Sequence, residues 1–424
     1  HDVWVMKIDV TGNILWQKNY GGLADDVAND ILQTPDGGYI LVGTTLSFDG
    51  DIAGNHGSYD VLLMKLNSTG ILQWQKCFGG SDREFGFTIS ATSDGGYIIG
   101  AENRSLDGDV IGHHGATNSP DAWIIKTDAT GNIQWQKSFG GTRWEQWGRI
   151  EQTTDGGYFF SAEVDSYEGD VACSDSSLWR LWTVKLDNTG NIQWQQCWKG
   201  YGNPRSGRQT SDGGFIITGT CWGLPGSHGN NFDMFVLKID ATGNIQWERF
   251  LGGNNNDEAN NIQLTTDGGY ILAGFTASTD GDICNNKGSN DCWIVKLSDN
   301  GTIEWQKTYG GTRSDKATSI LPTVDGGYIV AGYNNSTDGD ATVNKGNDDW
   351  WIFKLSFPGI PLLPSATITA SDSIICMGQG VTFIATPVNG GTQPFYQWQI
   401  NGITAAGNND TVLINTLSNA DIVN

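Results

Sequence analysis

Charge is scarce in this chain of 424 residues and leans one way, with 17% charged residues, 24 Lys and Arg against 47 Asp and Glu, and a net charge of −23. A phosphate backbone needs a basic surface, so nucleic acid is not an expected partner, and cations or neutral ligands fit better. Acidity of this size also keeps an exposed protein soluble. No apolar run approaches the ~18 residues of a membrane span, so no transmembrane segment is expected. Ser-His-Asp arrangements, phosphate loops and Cys-x-x-Cys pairs are all missing, and the isolated carboxylates are too many to single out a catalytic pair. The chain also lacks a signal peptide, opening on His1-Asp2-Val3-Trp4 inside a repeat, from which an earlier natural start is expected.

What is abundant is glycine, 59 residues, and tryptophan, 18 residues. That combination favours many short strands joined by tight turns and packed through aromatics, and it disfavours a long helical protein. A segment close to Thr-x-Asp-Gly-Gly-Tyr-Ile recurs six times, at Asp36, Asp94, Asp155, Asp212, Asp267 and Asp325, with gaps of 58, 61, 57, 55 and 58 residues. A period between 50 and 60 with strand patterns is the mark of a propeller or similar array, whose units cannot bury their apolar faces alone.

Each unit reads as four strands, c, d, a and b, separated by Asp-Gly-Gly, a long loop, and a Thr-Gly-Asn type turn. Strand a follows Asp-x-Trp-x-x-Lys, as at Asp121, Trp123 and Lys126. Strand b carries Trp16, Trp74, Trp135, Trp194, Trp247 and Trp305, nearly always followed by Gln, which read as packing between blades. Small residues in strand c, such as Ala28, Gly86, Ala259 and Ala317, place it innermost, with b outermost. The fold class expected is all-β, a β-propeller of four-stranded blades followed by an immunoglobulin-like β-sandwich. The inventory is a and b, five full sets, then c, d and a; seven blades are expected with an N-terminal part missing, and six remain possible.

Thr34-Pro35-Asp36-Gly37-Gly38-Tyr39, Ser278-Thr279-Asp280-Gly281-Asp282 and Trp135-Gln136-Lys137-Ser138-Phe139-Gly140-Gly141 resemble the propeller repeats of large Bacteroidetes surface proteins. The resemblance covers about residues 1 to 357 and implies export by the type IX secretion pathway, hence a secreted or outer cell-surface location. The turn also resembles the Asp box of sialidases without its following Thr-Trp, and there the box is structural. The domains expected are a propeller over 1–357, a Pro-rich linker over 358–364, and an immunoglobulin-like domain over 365–424, which resembles modules of the same proteins through Cys376, Trp398 and the Asn401-Gly402 turn. That resemblance implies a second cysteine after Asn424, so Cys376 is expected to lack its partner.

Alternating strands put the d-to-a loops and b-to-c links on one face, which varies between copies, and the Asp-Gly-Gly and Thr-Gly-Asn turns on the other, which does not. Binding belongs on the variable face. Five tryptophans outside the repeat positions, Trp144, Trp147, Trp179, Trp198 and Trp222, fall in one stretch with Arg143, Arg149, Arg180, Arg205 and Arg208. Aromatic platforms with planar donors suit sugar rings; a protein partner, or repacking of irregular blades, would explain the same residues. Of these, Trp144, Trp147, Trp179, Trp198, Trp222, Arg143, Arg180 and Arg205 are the candidate ligand-binding residues.

Five of six loops carry Ser-x-Asp/Glu-Gly-Asp, at Asp49/Asp51, Asp107/Asp109, Glu168/Asp170, Asp280/Asp282 and Asp338/Asp340. These acids are either Ca²⁺ ligands or turns held by carboxylate-to-backbone hydrogen bonds. The fourth loop, Trp222-Gly223-Leu224-Pro225, lacks the motif. Histidines 56, 113, 114 and 228 alternate with Lys287 and Lys345, unlike metal ligands, and read as loop-spacing residues. Seven cysteines favour an oxidising compartment, with Cys284–Cys292 and Cys173–Cys221 the expected disulfides and Cys77 and Cys197 free and buried.

The function expected is a non-enzymatic, secreted or surface-attached binding protein whose loop face takes glycan or protein. A glycan-degrading propeller with carboxylates in its central mouth, and a structural unit of a surface filament, are the alternatives.

Overall fold

The computed structural model describes residues 1–424 except 117–118, 174–179, 229–230, 342, 357–364, 372–379, 389–395, 408, 419–420 and 424, and the side chains at 147–148, 365–366, 387–388 and 406–407. The expected linker, Cys376 and Trp179 therefore lie outside the described residues, as does the side chain of Trp147.

Every described element is a β-strand. The first sheet pairs β1 (Val3–Ile8) with β2 (Ile14–Tyr20). The second holds β3 (Asp26–Gln33), β4 (Tyr39–Thr45), β5 (Asp60–Leu66) and β6 (Leu72–Phe78), and the third β7 (Glu84–Ala91), β8 (Tyr97–Asn103), β9 (Asp121–Thr127) and β10 (Ile133–Phe139). The fourth holds β11 (Glu145–Gln152), β12 (Tyr158–Val164), β13 (Arg180–Leu186) and β14 (Ile192–Lys199). The fifth holds β15 (Tyr201–Gln209), β16 (Phe215–Trp222), β17 (Phe232–Ile239) and β18 (Ile245–Leu251), and the sixth β19 (Asp257–Leu264), β20 (Tyr270–Thr276), β21 (Asp291–Leu297) and β22 (Ile303–Tyr309). The seventh has β23 (Asp315–Pro322), β24 (Tyr328–Asn334) and β25 (Asp349–Leu355). Order within each four-stranded sheet is c, d, a, b, all antiparallel, and the inner strands β3, β7, β11, β15 and β19 pack in turn on one another. This is a β-propeller of four-stranded blades.

Local chemistry accounts for each blade. In the Asp-Gly-Gly turn, Asp36 Oδ1 accepts from Thr34 Oγ1 (2.5 Å) and Gly38 N (2.9 Å), while Oδ2 takes the Lys65 ammonium at 2.8 Å. Lys65 is the lysine of the strand-a pattern, buried under the turn, and the same pairing recurs at Asp94–Lys126, Asp155–Lys185, Asp212–Lys238, Asp267–Lys296 and Asp325–Lys354. Strand-a tryptophans Trp123, Trp182 and Trp293 are fully buried, and their Nε1 atoms donate to Gln136, Gln195 and Gln306 at 2.7, 2.8 and 2.6 Å. These glutamines follow the strand-b tryptophans, which explains the Trp-Gln pair, because a buried indole N–H needs an acceptor.

The strand-b tryptophans pack between blades as expected. Trp16 meets Tyr39 edge-on at 5.8 Å, Trp135 meets Tyr158 at 5.5 Å, and Trp247 meets Tyr270 at 5.8 Å. Each also lies under the a-to-b turn of the next blade. Gly70 (φ +76°) is needed there twice over, because a Cβ would lie 2.9 Å from the Trp16 ring and left-handed backbone disfavours side chains.

The inner strands meet through charge. Asp30 Oδ2 accepts from Ile89 N (3.1 Å) and pairs with Arg149 at 3.6 Å, joining the second, third and fourth blades. Glu151 pairs with Arg208 at 3.5 Å, and Arg208 Nε donates to Gln263 at 3.2 Å, continuing to the sixth. Burial and the neighbouring Arg149 pull the Arg208 pKa down to about 10. Arg149 and Arg208 are thus axis residues rather than members of a loop-face patch.

By contact the chain divides into two compact units, His1–Leu321 with Ile329–Phe353, and Pro322–Tyr328 with Lys354–Asn424. In the second, β26 (Ser365–Ala370), β27 (Val381–Val388) and β30 (Thr411–Ile414) form one sheet and β28 (Gln397–Ile400) with β29 (Ile403–Gly407) another. Asn401 (φ +52°) and Gly402 (φ +81°) make the expected turn, and buried Trp398 donates to Asn409 O at 2.8 Å.

Candidate functional site

The Ser-x-Asp/Glu-Gly-Asp loops lie against the b-to-c link that enters their own blade. Leu23 N donates to Asp49 Oδ1 (2.9 Å), Gly21 N to Asp51 Oδ2 (3.3 Å), Asp51 N to Gly21 O (2.9 Å), and Ala24 N to Ser47 Oγ (3.1 Å). The same clasp recurs: Asp107 and Asp109 hold Ser81 and Gly79, Glu168 holds Thr142, Asp280 and Asp282 hold Asn254 and Gly252, and Asp338 and Asp340 hold Thr312 and Gly310. The second glycine of each link is required by this fit; a Cβ on Gly80 would stand 2.5 Å from Asp107 O. Asp49, Asp51, Asp107, Asp109, Asp280, Asp282, Asp338 and Asp340 are therefore directed at backbone amides, and among the described residues no group of three or more His, Cys, Asp or Glu is arranged to hold a metal.

Beneath the clasps of the third, fourth, sixth and seventh blades sit two buried acids, the first residue of the preceding strand a and the first of the next strand c. A Cβ on Gly79 would lie 2.6 Å from both Asp60 Oδ1 and Glu84 Oε2, and Gly140, Gly252 and Gly310 stand likewise over Asp121/Glu145, Asp233/Asp257 and Asp291/Asp315. Burial pushes Asp60, Asp233 and Asp291 up to about 6 and Glu145 up to about 8, reinforced by the neighbouring acid. The loop histidines face these acids: His56 Nδ1 meets Asp60 at 2.7 Å and His114 Nδ1 meets Asp121 at 2.8 Å. They also reach the next blade's clasp, at 3.9 Å to Asp109 and 3.5 Å to Asp170, as Lys287 reaches Asp340 at 2.5 Å. Alternation of His with Lys follows, since either side chain reaches from its own blade to the next blade's clasp acid.

One junction, between the fourth and fifth blades, is built otherwise. Only Gly200 separates β14 from β15, whereas five residues separate β6 from β7. With no long link to clasp, the fifth blade's loop dispenses with the acidic motif, and Leu224 fills the space over Gly200. Arg180 stands where other blades have the strand-a acid, and Tyr201, opposite Cys221, where they have the strand-c acid. Arg180 is 1% exposed and donates from Nη2 to Asp165 O (3.2 Å) and Ser166 O (2.5 Å), so it is part of the interior and not a ligand-binding residue as expected.

Cys173 bonds Cys197, not the expected Cys221, because residues 170–173 lie over their own blade's outer strand β14, where Ala172 N donates to Gln195 Oε1 at 3.0 Å. Cys221 lies buried and free at the end of β16. Cys284 and Cys292 are also free: Cys284 is exposed over outer strand β22, where Thr308 Oγ1 donates to its carbonyl at 3.2 Å, and Cys292 is buried within β21. Cys77 is free and buried as expected, but Cys197 is not free.

The other candidates scatter. Trp198 is half-buried with Nε1 bonded to Thr183 Oγ1 at 3.1 Å, Trp144 is half-buried, Arg205 is exposed, and Trp222 is 63% exposed. Arg143 lies over the Tyr167 ring at 5.1 Å and beside Asp165 at 3.5 Å. Sequence reasoning missed the position between Ser and the first acid of the clasp motif. That position projects from the loop face, and holds Phe48, Leu106 and Tyr167 in the second, third and fourth blades, exposed by 63, 63 and 40%. In the sixth and seventh it is Thr279 and Thr337. Leu23 lies exposed in the link entering the second blade, Ile111 in the third blade's loop, and Trp222 at the end of β16 in the fifth blade. The available signal was an apolar residue repeated inside an otherwise polar loop.

Two further acids are buried at the same end of the d strands: Glu102, which burial pushes up to about 7 with Arg104 at 3.7 Å, and Glu163, raised by burial.

No family model matches the chain. It is 23% identical over 458 aligned residues to the regulatory protein FlaEY of Caulobacter vibrioides, covering 96% of this chain and 47% of that protein, so the chain spans about half the length of the curated relative it matches. Among solved structures, a puromycin hydrolase overlaps 84% of this chain and 50% of its own at TM-score 0.45 and 12% identity. A luciferin-regenerating enzyme overlaps 80% and 93% at TM-score 0.41 and 8% identity. A putative gluconolactonase overlaps 79% and 90% at TM-score 0.39 and 9% identity.

Proposed function

We propose that this protein is a secreted or outer-surface binding protein that engages glycan or protein through the loop face of its propeller, with an immunoglobulin-like module over 365–424 as spacer. The observation that carries the reading is the exposed apolar row of Phe48, Leu106 and Tyr167 at one repeated loop position, with Trp222 also exposed on the fifth blade. A structural role in the blade would repeat in every copy; this row stops where the motif turns to threonine. Apolar side chains left in water on a varied face of a rigid scaffold fit a docking surface. A disulfide fits an oxidising compartment. The test is retention of the full chain on parallel glycan and peptide arrays, with Phe48→Ala and Trp222→Ala each weakening the retained ligand at least tenfold; unchanged retention by both variants would contradict the reading.

The enzymatic alternative is favoured by Glu102, a buried carboxyl held near neutrality, where a general acid works best. Release of reducing sugar from polysaccharide, abolished by Glu102→Gln, would establish it.

A further inference from the structure

We infer that the loop face docks an extended polypeptide carrying both apolar and basic side chains, rather than a neutral sugar. The inference rests on the binding reading above and names its partner class.

Shape and chemistry of the row speak against a sugar. Stacking platforms must be flat rings with an open face, yet the middle position is Leu106, and the face of Tyr167 is already covered by the Arg143 guanidinium at 5.1 Å. Of the tryptophans of the region, Trp198 is half-buried and tied to Thr183, and Trp222 stands at the end of β16, outside the repeated position. Mixed aliphatic and aromatic side chains at matching positions on consecutive blades instead offer separate contacts to successive apolar side chains of a chain laid across them.

Charge sets the rest of the partner. Each apolar residue of the row is followed by an acid, Asp49, Asp107 or Glu168, and two residues later by Asp51, Asp109 or Asp170. The backbone amides that these acids accept from do not neutralise them. Loop 46–59 has no Lys or Arg, and loop 104–120 has Arg104 alone. In a chain of net charge −23, an apolar row bordered by carboxylates favours lysine or arginine beside the docked apolar groups, both for steering and for register.

The test measures fluorescence anisotropy of the full chain with a labelled twelve-residue peptide alternating leucine and lysine. Its leucine-to-serine and lysine-to-glutamate counterparts and a neutral oligosaccharide set are measured alongside. Binding should be seen with the leucine–lysine peptide, fall at least tenfold in the Phe48→Ser/Leu106→Ser/Tyr167→Ser variant, fall again between 50 and 300 mM salt, and be absent with the glutamate peptide. The variant keeps every charge, so a diffuse attraction to an acidic protein would survive it; equal binding by variant and wild type would overturn the inference. Oligosaccharide binding lost in the variant, without peptide binding, would overturn the inference while leaving the binding reading intact. Failure of both probe classes would overturn both.

Discussion

Two kinds of blade junction exist in this propeller, and they are stabilised by opposite means. At the regular junctions a five-residue link is gripped by loop carboxylates, at four of the five over a buried pair of acids. At the junction of the fourth and fifth blades the link has shrunk to Gly200, the acids have become Arg180 and Tyr201, and a disulfide ties the loop to its own blade. The acidic motif is thus an accessory of the long link, absent where the link is absent. Departures from a repeat mark function only when they do not compensate one another, and these do.

The contrast is broken most severely at Arg180. Arg180→Ala should cost about 3 kcal/mol, leaving the Asp165 and Ser166 carbonyls unpartnered in the interior. Asp60→Asn, the matching change at a regular junction, removes a charge that burial already disfavours and should cost under about 1 kcal/mol at pH 7. Chemical denaturation of both variants checks the pair. Removing the disulfide with Cys173→Ser/Cys197→Ser should cost about 3 kcal/mol from the closed loop of 24-residue separation. Cys284→Ser, exposed and free, should stay within about 0.5 kcal/mol.

Smaller effects sharpen the same comparison. Gly80→Ala places a methyl against the Asp107 carbonyl and should cost about 1–3 kcal/mol, whereas Gly202→Ala, whose nearest neighbour would be Thr220 O at 3.3 Å, should cost under about 1 kcal/mol. Acidity separates the two faces. Carboxyls raised to about 6 (Asp60, Asp233, Asp291) and about 8 (Glu145) stabilise the fold while protonated, fully below their unfolded values near 4, and that stability is lost as pH rises through 6 and 8. On the turn face, burial pushes Asp94, Asp155, Asp212 and Asp267 up but lysine and threonine donors outweigh it, holding them at about 2. Their contribution is present above pH 4 and lost as pH falls toward 2. Melting temperature should therefore peak near pH 4–5 and decline on both sides, and a scan from pH 2.5 to 9 reads it.

Strand order, the inner position of c and the packing role of the Trp-Gln pairs were legible in the sequence because each rests on local chemistry repeated in register. The carboxyl pairs were not, since Asp60 and Glu84 meet only across a blade junction. Cys173 misled because its loop lies on the same face as Cys221, and nothing local says that the tip turns outward. Ser138 and Thr308, at the strand position of Cys197, bond to loop carbonyls, contacts the sequence does not show. The tryptophan-rich stretch drew attention to Arg180, which is buried, and Trp198, which is half-buried. Phe48, Leu106 and Tyr167 stood unnoticed inside a motif read for its acids.

The turn face carries its own exposed apolar residues, Ile14, Ile71 and Ile245, at 54, 60 and 44%. They supply the control for the central claim that the loop face is the working surface. Hydroxyl-radical footprinting of the full chain, free and bound to the ligand retained on the arrays, should protect Phe48, Leu106, Tyr167 and Trp222 and leave the three isoleucines unchanged. Protection of the isoleucines with the loop-face row still oxidised would contradict it.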